Sequence, residues 1–403
     1  MPVMSFDLAR IRGLYPTLGA ATAYLDGPFG ALQPESVIRA IIATLRSSPA
    51  QPGSRSVRSQ RTAVSVENAR DAVADLVGTT ADSVVLGASQ TSLLMRFARL
   101  LSRDWQLGDE VVLSRLDADS TLLPWLRAAR SSGGVVRWAE VDLDTGELPA
   151  WQYEHLVSGH TRVITVPLGN PATGTVPDIR AISDLAHRNG ALVVVDAGVA
   201  IPHLPLDLDE LGADLLSLSA ATFGGPTVAA IAARPGLLRG IESDVRGPVP
   251  QRFEDGPLPI ELLDGLTAAI DHLADFADGN LGSDGTRRER IVHGVSVAGE
   301  HTRSLFERLD SGLRSVRGVT VLGSSGDRLP VAAFTITGFS PDHVGDFLQR
   351  AGVSVWTGPT GMTELLTAYG ADELGGAICV GVMPYSAPHE VDHMLEALGE
   401  LVP

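Results

Sequence analysis

Short apolar runs alternate with helical patterns through the first 235 residues, and this alternation constrains the fold more than any other feature. The runs are rich in valine and lack regular polar alternation, which is typical of strands buried on both faces of a mostly parallel sheet. Repeated strand–helix alternation predicts a doubly wound α/β domain. The predicted strands are 83–86, 110–115, 134–141, 162–168, 191–196, 214–219 and 227–233, and helical spacing covers 67–77, 91–103, 120–131 and 177–189.

The pattern changes near residue 261, where two long helical stretches, 261–277 and 286–316, precede short strands and shorter helices. This order predicts a smaller α+β domain with an antiparallel-leaning sheet. We therefore divide the chain into a large α/β domain, 21–260, and a small domain, 261–403, which the N-terminal segment 1–20 joins. The later predicted elements are strands at 319–322, 331–338, 353–356 and 377–382, and helices at 341–351 and 388–400.

The chain has 403 residues and contains no lysine, so all 31 of its basic side chains are arginines. Lysine is normally among the commonest residues. Its absence excludes any reaction in which a lysine amine acts as Schiff-base partner or nucleophile. It also excludes a Walker-type phosphate loop, which needs a lysine.

Charge and cysteine content limit the classes of partner. The formal charge of −17 argues against nucleic acid, whose phosphates require clustered positive charge. No segment approaches the roughly 18 apolar residues of a membrane span, and the N-terminus lacks the apolar core of a signal peptide. Cys379 is the only cysteine, which excludes disulfides within the chain. We expect a cytoplasmic protein without nucleic-acid or membrane partners.

Three strand ends are candidate ligand contacts, because ligands of open α/β sheets bind beyond the carboxyl ends of the strands. Ser89 and Thr91 open a helix whose N–H groups could hold a phosphate, although a simple N-cap explains them equally well. Asp196 ends a buried strand, where it could pair with a ligand cation or cap the structure. Small residues and a Gly-Gly-Pro turn occupy 217–226. Together the three loops predict a pocket for a phosphorylated aromatic cofactor.

Several ordered segments carry a family resemblance. They are YLDGPFGALQPESV (24–37), GDEVVLSRLDADSTLLPW (108–125), TGTVPDI (173–179), residues 190–219 and RFEDGPLP (252–259). In order and spacing the chain resembles the class V aminotransferase and cysteine desulfurase group of pyridoxal-phosphate enzymes. The resemblance implies the α/β transferase fold of type I, with a mostly parallel seven-stranded sheet and a smaller C-terminal α+β domain. It also implies a homodimer, because the family builds its active site across one.

By this resemblance, the chain differs from the family at the catalytic positions. In the family a lysine that binds the cofactor covalently follows the strand ending at Ser219, and Thr222 stands there in this chain. A hydroxyl cannot form an imine. Five more family residues are replaced in this chain. Ala118 replaces a ring-stacking histidine, Val199 a glutamine, Pro257 a phosphate-contacting threonine, Cys379 a carboxylate-binding arginine and Gly361 the desulfurase cysteine.

The cofactor-binding side chains that the resemblance leaves in place are Ser89, Gln90, Asp196, His203 and Ser219. One hypothesis is a pseudoenzyme with a binding or regulatory role, whose partner is a small anionic ligand or another protein. A second is a transferase or lyase that uses pyridoxal or pyridoxamine phosphate non-covalently on an amino-acid-like substrate, with His203 as a substitute base. A third is different lysine-free chemistry in the same cleft. None of these holds a cofactor covalently.

Two further patterns have simpler interpretations. His389-Glu390-Val391-Asp392-His393 matches the HExxH zinc pattern, but the apolar stripe of its helix faces away from both histidines. We therefore expect no metal there. We predict the Ser/Pro/Gly-rich stretch 47–56 to be a surface loop or an active-site flap. It contains Arg55, and Arg58 and Arg61 follow it. These arginines could clamp an anion or form a solvated patch.

Overall fold

The computed structural model describes residues 6–19, 22–254, 256–277, 285–323, 326, 328–359 and 361–402. The described helices are α1 Leu8–Arg12, α2 Glu35–Ser47, α3 Val57–Val77, α4 Gln90–Leu101, α5 Asp119–Ser132, α6 Tyr153–Leu156, α7 Ile179–Arg188, α8 Leu208–Leu211, α9 Leu237–Gly240, α10 Ile260–Ala274, α11 Arg287–Ser315, α12 Pro341–Arg350, α13 Thr363–Ala368 and α14 Pro388–Leu401. The strands are β1 Ala23–Tyr24, β2 Val84–Gly87, β3 Glu110–Ser114, β4 Val135–Ala139, β5 Thr161–Pro167, β6 Leu192–Asp196, β7 Leu215–Ser219, β8 Ala229–Ala233, β9 Val319–Leu322, β10 Val331–Ile336, β11 Val353–Ser354, β12 Trp356–Gly358 and β13 Ala377–Gly381.

The seven predicted strands of the large sheet are confirmed. Their order is β2-β8-β7-β6-β5-β3-β4, and only β8 runs antiparallel to its neighbours. The register places Asp196 of β6 between Pro167 of β5 and Ser217 of β7. The carboxyl ends of three adjacent strands therefore meet around Asp196.

Burial on both faces of this sheet explains the valine-rich runs. Along β6, Val193 and Val195 pack into one core cluster and Val194 packs into another on the opposite face. Successive side chains of a strand point to opposite faces. A central strand covered on both sides has no solvent-facing position, so its sequence shows no polar alternation.

The C-terminal part contains the predicted antiparallel sheet, in the order β12-β13-β10-β9. A third core cluster joins it to α11, α12 and α14. The strand predicted at 353–356 is divided: β11 pairs with β1 in a separate parallel pair, whereas β12 joins β13. The domain boundary near residue 260 stays a prediction. No described helix is both long and apolar enough to cross a membrane.

The helical pair before β2 differs most from the sequence prediction. The sequence prediction omitted α2, and it placed the start of α3 at residue 67, ten residues after its observed start at Val57. The first turns of α3 are mostly exposed and polar, so no apolar stripe marks them. The Ser56 side chain accepts the Ser59 N–H and caps the helix there. The predicted surface loop lies between the two helices and is mostly exposed.

Candidate functional site

A cleft of about 270 Å³ opens at the carboxyl ends of β5 and β6, beside the turn that follows β7. This is the edge of the sheet at which the sequence predicts ligand binding. The described residues that line it are Pro28, Phe29, Gln90, Ala118, Ser120, Pro167, Gly169, Pro171, Asp196, Gly198, Val199, Thr222, Gly361 and Met362.

Asp196, the last residue of β6, lines the cleft. Its Oδ1 accepts the Gly198 N–H at 3.1 Å, and its Oδ2 accepts the Thr121 hydroxyl at 3.0 Å. Burial raises the pKa of the Asp196 carboxyl above its ordinary value, and hydrogen bonds from Gly198, Gln90 and Thr121 lower it in part. These donors are neutral, so the carboxylate is suited to pair with a cationic or N–H group of a ligand.

Thr222 lies opposite Gly198 in the short 3-10 turn Ala220–Phe223 that follows β7. Its hydroxyl oxygen is 2.6 Å from the Gly198 carbonyl oxygen and 2.8 Å from the Ser219 carbonyl oxygen. The hydroxyl hydrogen is therefore donated to backbone carbonyls. This side chain ties the loop after β6 to the end of β7.

Ser89 and Gln90 have separate roles at the start of α4. The Ser89 hydroxyl oxygen accepts the Ser92 N–H at 3.1 Å, which is an ordinary N-cap. Gln90 lines the cleft, and its amide donates to the Ser217 hydroxyl at 3.0 Å. Ser219 ends β7 and is half-buried, but it lies outside the described lining of the cleft.

His203 lies away from the cleft lining. It is buried against α11, where its Nδ1 is 3.2 Å from the Thr302 hydroxyl. Burial lowers the pKa of His203 to about 3, so the ring is neutral at ordinary pH. The structure therefore brings Gln90, Asp196 and Thr222 together but does not bring His203 to them.

The segment before α13 covers one side of the cleft. The Asp119 carboxylate accepts the Thr363 N–H at 3.2 Å and its hydroxyl at 2.7 Å, and the Asp119 N–H donates to the Gly361 carbonyl at 2.8 Å. Arg115 forms an ion pair with Glu364. These bonds hold Met362, only 4 % exposed, against the cleft.

An aromatic pair forms another wall. Phe29 lines the cleft and stacks on Trp356 of β12, with ring centroids 5.0 Å apart and planes 15° apart. Trp356 is 43 % exposed. The sequence analysis missed Phe29, Trp356 and Met362, because single apolar residues in loops carry no recognisable spacing.

Asp117 is a second buried acid near the cleft that the sequence did not indicate. Its Oδ2 accepts the Ser114 N–H at 3.0 Å and the Thr165 hydroxyl at 2.6 Å, whereas its Oδ1 has no hydrogen-bond partner. Burial, with a contribution from the Asp196 charge, raises the pKa of Asp117 to about 7. It is not itself among the described lining residues of the cleft.

The other candidate patterns have structural partners outside the cleft. Glu390 is buried, accepts the Ala387 N–H at 2.7 Å and pairs with Arg12 at 2.9 Å, while His389 and His393 are exposed. Arg58 donates to the Ser48 carbonyl at 2.6 Å. Cys379 is buried in β13. Arg55, Arg58 and Arg61 are exposed and lie outside the described cleft lining.

Comparison with known proteins identifies the family of this chain. The family model of class V aminotransferases matches residues 23–280. The chain is 38 % identical over 402 residues to an uncharacterized protein of Mycobacterium tuberculosis, MT3887, covering 99 % of this chain and all of that protein. It is 29 % identical over 421 residues to a probable cysteine desulfurase of Aeropyrum pernix, covering 98 % of each. The chain belongs to the class V aminotransferase family.

Solved structures show the same fold. The apo cysteine desulfurase of Thermococcus onnurineus has a TM-score of 0.88 at 23 % identity, covering 100 % of this chain and 99 % of that one. The cysteine desulfurase CsdA of Escherichia coli has a TM-score of 0.84 at 22 % identity, covering 99 % and 100 %. The α/β transferase fold of type I is therefore confirmed.

The family implies pyridoxal phosphate, and the residues present fit that group only in part. Asp196 is suited to hold a ring nitrogen, and the cleft has a flat aromatic wall in Phe29. No lysine exists anywhere in the chain to bind an aldehyde covalently. None of the described lining residues is a cation that could balance a phosphate. A covalently held cofactor does not fit this chain.

Proposed function

We propose that this chain is a pseudoenzyme of the class V family, which uses its cleft to bind a small molecule and does not perform the family's covalent chemistry. The observation that carries the proposal is Thr222, at the position where the family resemblance expects the cofactor lysine. Its hydroxyl is already donated to the Gly198 and Ser219 carbonyls. The absence of lysine from the whole chain supports the same conclusion.

The missing proton-transfer group supports the proposal independently. Chemistry at an amino-acid carbon needs a base within hydrogen-bonding distance of the proton that it removes. Among the described lining residues, Asp196 is the only ionisable side chain, and it is the group suited to a ring nitrogen. His203 is directed toward Thr302 on α11. The cleft thus retains groups that bind and lacks a group that moves a substrate proton.

A second candidate is a transferase or lyase that uses pyridoxal or pyridoxamine phosphate without a covalent link. The specific observation that favours it is Asp196, whose hydrogen bonds come only from neutral donors and which suits the ring nitrogen of either compound. In either case we propose a homodimer, as the family resemblance implies, and a cytoplasmic location, which fits a chain with a single cysteine.

Hydrogen exchange at an amino-acid α-carbon distinguishes the two candidates. The full-length protein is incubated in deuterated water with pyridoxal phosphate and a panel of amino acids, and loss of the α-proton signal is followed by NMR. We expect the α-proton to exchange at the same rate as in pyridoxal phosphate and amino acid without the protein. A saturable acceleration that disappears in Asp196→Asn would overturn the pseudoenzyme proposal and support the second candidate.

A further inference from the structure

A second cavity, of about 500 Å³, opens at the edge of the large sheet opposite to the cleft. Leu192, the first residue of β6, lines this cavity, whereas Asp196, the last residue of the same strand, lines the cleft. At about 3.3 Å per residue, the two positions lie roughly 13 Å apart along the strand. The described lining residues of the cavity all lie between 180 and 234. The cavity is therefore separate from the cleft, around which the family resemblance builds the homodimer.

Charged side chains from three parts of the chain face this cavity. One face of α7 carries Arg180, Asp184 and His187, at the spacing that places side chains on one side of a helix. Asp209 comes from α8, and Arg234 directly follows the last residue of β8. Guanidinium and carboxylate groups therefore line the same space.

Asp214 fixes two of the side chains at the cavity wall. It is completely buried just before β7, and its carboxylate accepts the Val193 N–H at 2.9 Å. Its Oδ1 accepts the Arg234 Nε–H at 2.8 Å, and its Oδ2 lies 2.9 Å from His187 Nε2. A binding group that is held by a second side chain loses less freedom when a ligand arrives. The Arg234 guanidinium is therefore pre-organised toward the cavity.

The groups that remain available for a ligand have both signs of charge. Among the described residues, the two terminal nitrogens of Arg234 and the carboxylate of Asp209 have no hydrogen-bond or ion-pair partner. Arg180, in contrast, is bonded to Asp184 at 3.0 Å and to the Asp209 carbonyl at 3.3 Å. The cavity thus offers a cationic fork from one element and a carboxylate from another.

A ligand with charge of one sign alone does not suit this lining. A simple anion would meet carboxylates beside the arginines, and a simple cation would meet guanidinium groups. The volume lies within the range of small-molecule sites, which combine apolar walls with a few polar groups. The described apolar lining residues are Ala191, Leu192, Leu208 and Ala213.

We propose that this cavity binds a small zwitterion with an apolar tail, which is the chemistry of a free aliphatic amino acid. The ligand carboxylate accepts hydrogen bonds from the terminal nitrogens of Arg234, and its ammonium group donates to the Asp209 carboxylate. The tail packs against Leu192 and Leu208. A guanidinium group can hold a carboxylate by two parallel hydrogen bonds, which orients the ligand. The inference does not rest on the proposed function, because it concerns the other edge of the sheet.

Three related compounds test the requirement for both charges. Leucine carries both, leucinamide lacks the carboxylate, and 4-methylpentanoate lacks the ammonium group, whereas the aliphatic tail is the same in all three. Each is titrated into the full-length protein with isotope-labelled histidine rings, and NMR follows the ring signal that His187→Gln removes. We expect leucine to shift this signal saturably and to bind at least about 10-fold more tightly than either analogue.

Two results would overturn the proposal. If either analogue binds as tightly as leucine, the cavity does not select a zwitterion. If leucine leaves the His187 signal unchanged at concentrations up to about 10 mM, the cavity does not bind it. Leucine bound only in the cleft would give this second result, because His187 lines the cavity at the other edge of the sheet.

Two variants separate the contributions of the two charges. Asp209→Asn should weaken the binding of leucine about 10-fold without weakening that of 4-methylpentanoate, because only the ammonium contact is lost. Arg234→Gln should weaken leucine and 4-methylpentanoate without weakening leucinamide. The matched controls are Asp144→Asn and Arg239→Gln, at exposed positions outside the described lining, and neither should change any of the three affinities.

Thermal melting shows whether each variant is folded. Arg234→Gln removes one of the three donors to the buried Asp214 carboxylate and should lower the melting temperature, whereas Asp209→Asn, at an exposed position, should not. The Asp209 variant therefore tests the proposal even where the arginine variant is unfolded. An unchanged affinity of Asp209→Asn for leucine would overturn the assignment of the ammonium contact. Accelerated α-proton exchange in the cleft would overturn the pseudoenzyme proposal and leave this one standing.

Discussion

Asp117 and Asp196 illustrate, at the scale of single residues, what a sequence can and cannot reveal. Asp196 was predictable because it ends a valine-rich strand at the edge where ligands bind. Asp117 was not, because its high pKa arises from complete burial and from the charge of Asp196, which ends another strand. The environment of a carboxyl group depends on tertiary contacts, which no local pattern records.

The buried Asp117 predicts a specific pH dependence of stability. Its pKa is about 7 in the folded protein against 3.8 for an unperturbed aspartate, so the folded state binds the proton more tightly. The free energy of unfolding should therefore decline as pH rises from about 4 to 7. Asp117→Asn removes this ionisation and should gain on the order of 2–4 kcal/mol relative to wild type between pH 4 and 8.

Urea unfolding of both proteins at pH 4 and pH 8 measures this gain. The difference between variant and wild type cancels the titration of other groups, including His203, whose lowered pKa acts in the opposite direction. Asp144→Asn, at an exposed position, serves as the control and should show no such gain. If the free energies of unfolding of variant and wild type differ by the same amount at pH 4 and at pH 8, Asp117 is not a buried, protonated carboxyl.

At the scale of elements, α14 shows how a sequence motif acquires a structural role. Its HExxH pattern places Glu390 at the first turn, where the carboxylate accepts the Ala387 N–H and pairs with Arg12 of α1. The HExxH pattern alone would favour zinc, but the apolar stripe faces away from both histidines, so we predicted no metal on this helix. The role of Glu390 was not predictable, since Arg12 lies 378 residues away in the sequence.

Removing that carboxylate should destabilise the fold. Glu390→Ala leaves the Ala387 N–H without its acceptor and Arg12 without its charged partner, although Arg12 still donates to the Tyr385 carbonyl. The free energy of unfolding should therefore fall by about 2–4 kcal/mol. His389→Ala, at the exposed first histidine of the pattern, should change it by less than about 0.5 kcal/mol. Chemical denaturation with and without zinc measures both. Zinc stabilisation that His389→Ala abolishes would contradict a purely structural role.

The missed helix α2 and the late predicted start of α3 have different causes. Periodicity identifies a helix where apolar residues recur on one face. In α2 they recur at 37, 38, 41, 42 and 45, so the helical pattern was present in the sequence and the prediction overlooked it. The first turns of α3 are mostly exposed and polar, so no apolar stripe marks where that helix begins.

At the scale of the whole molecule, the large sheet was the most predictable feature. Six of its seven strands are almost wholly buried, and only the edge strand β4 has exposed positions, which leaves a strong signal in the sequence. The cleft was predictable in position, because strand ends converge there, but not in its walls. Phe29, Met362 and Trp356 come from separate segments that only the folded chain brings together.

We propose that this scaffold retains the cleft of its family with a threonine at the position of the covalent lysine. The substitution Thr222→Lys tests this proposal. After incubation with pyridoxal or pyridoxal phosphate, borohydride reduction and gel filtration, the intact mass and a peptide map are recorded. We expect a stoichiometric adduct on residue 222 in the variant, and in wild type none beyond the N-terminal amine. If the folded variant retains neither aldehyde at residue 222, the proposal is wrong.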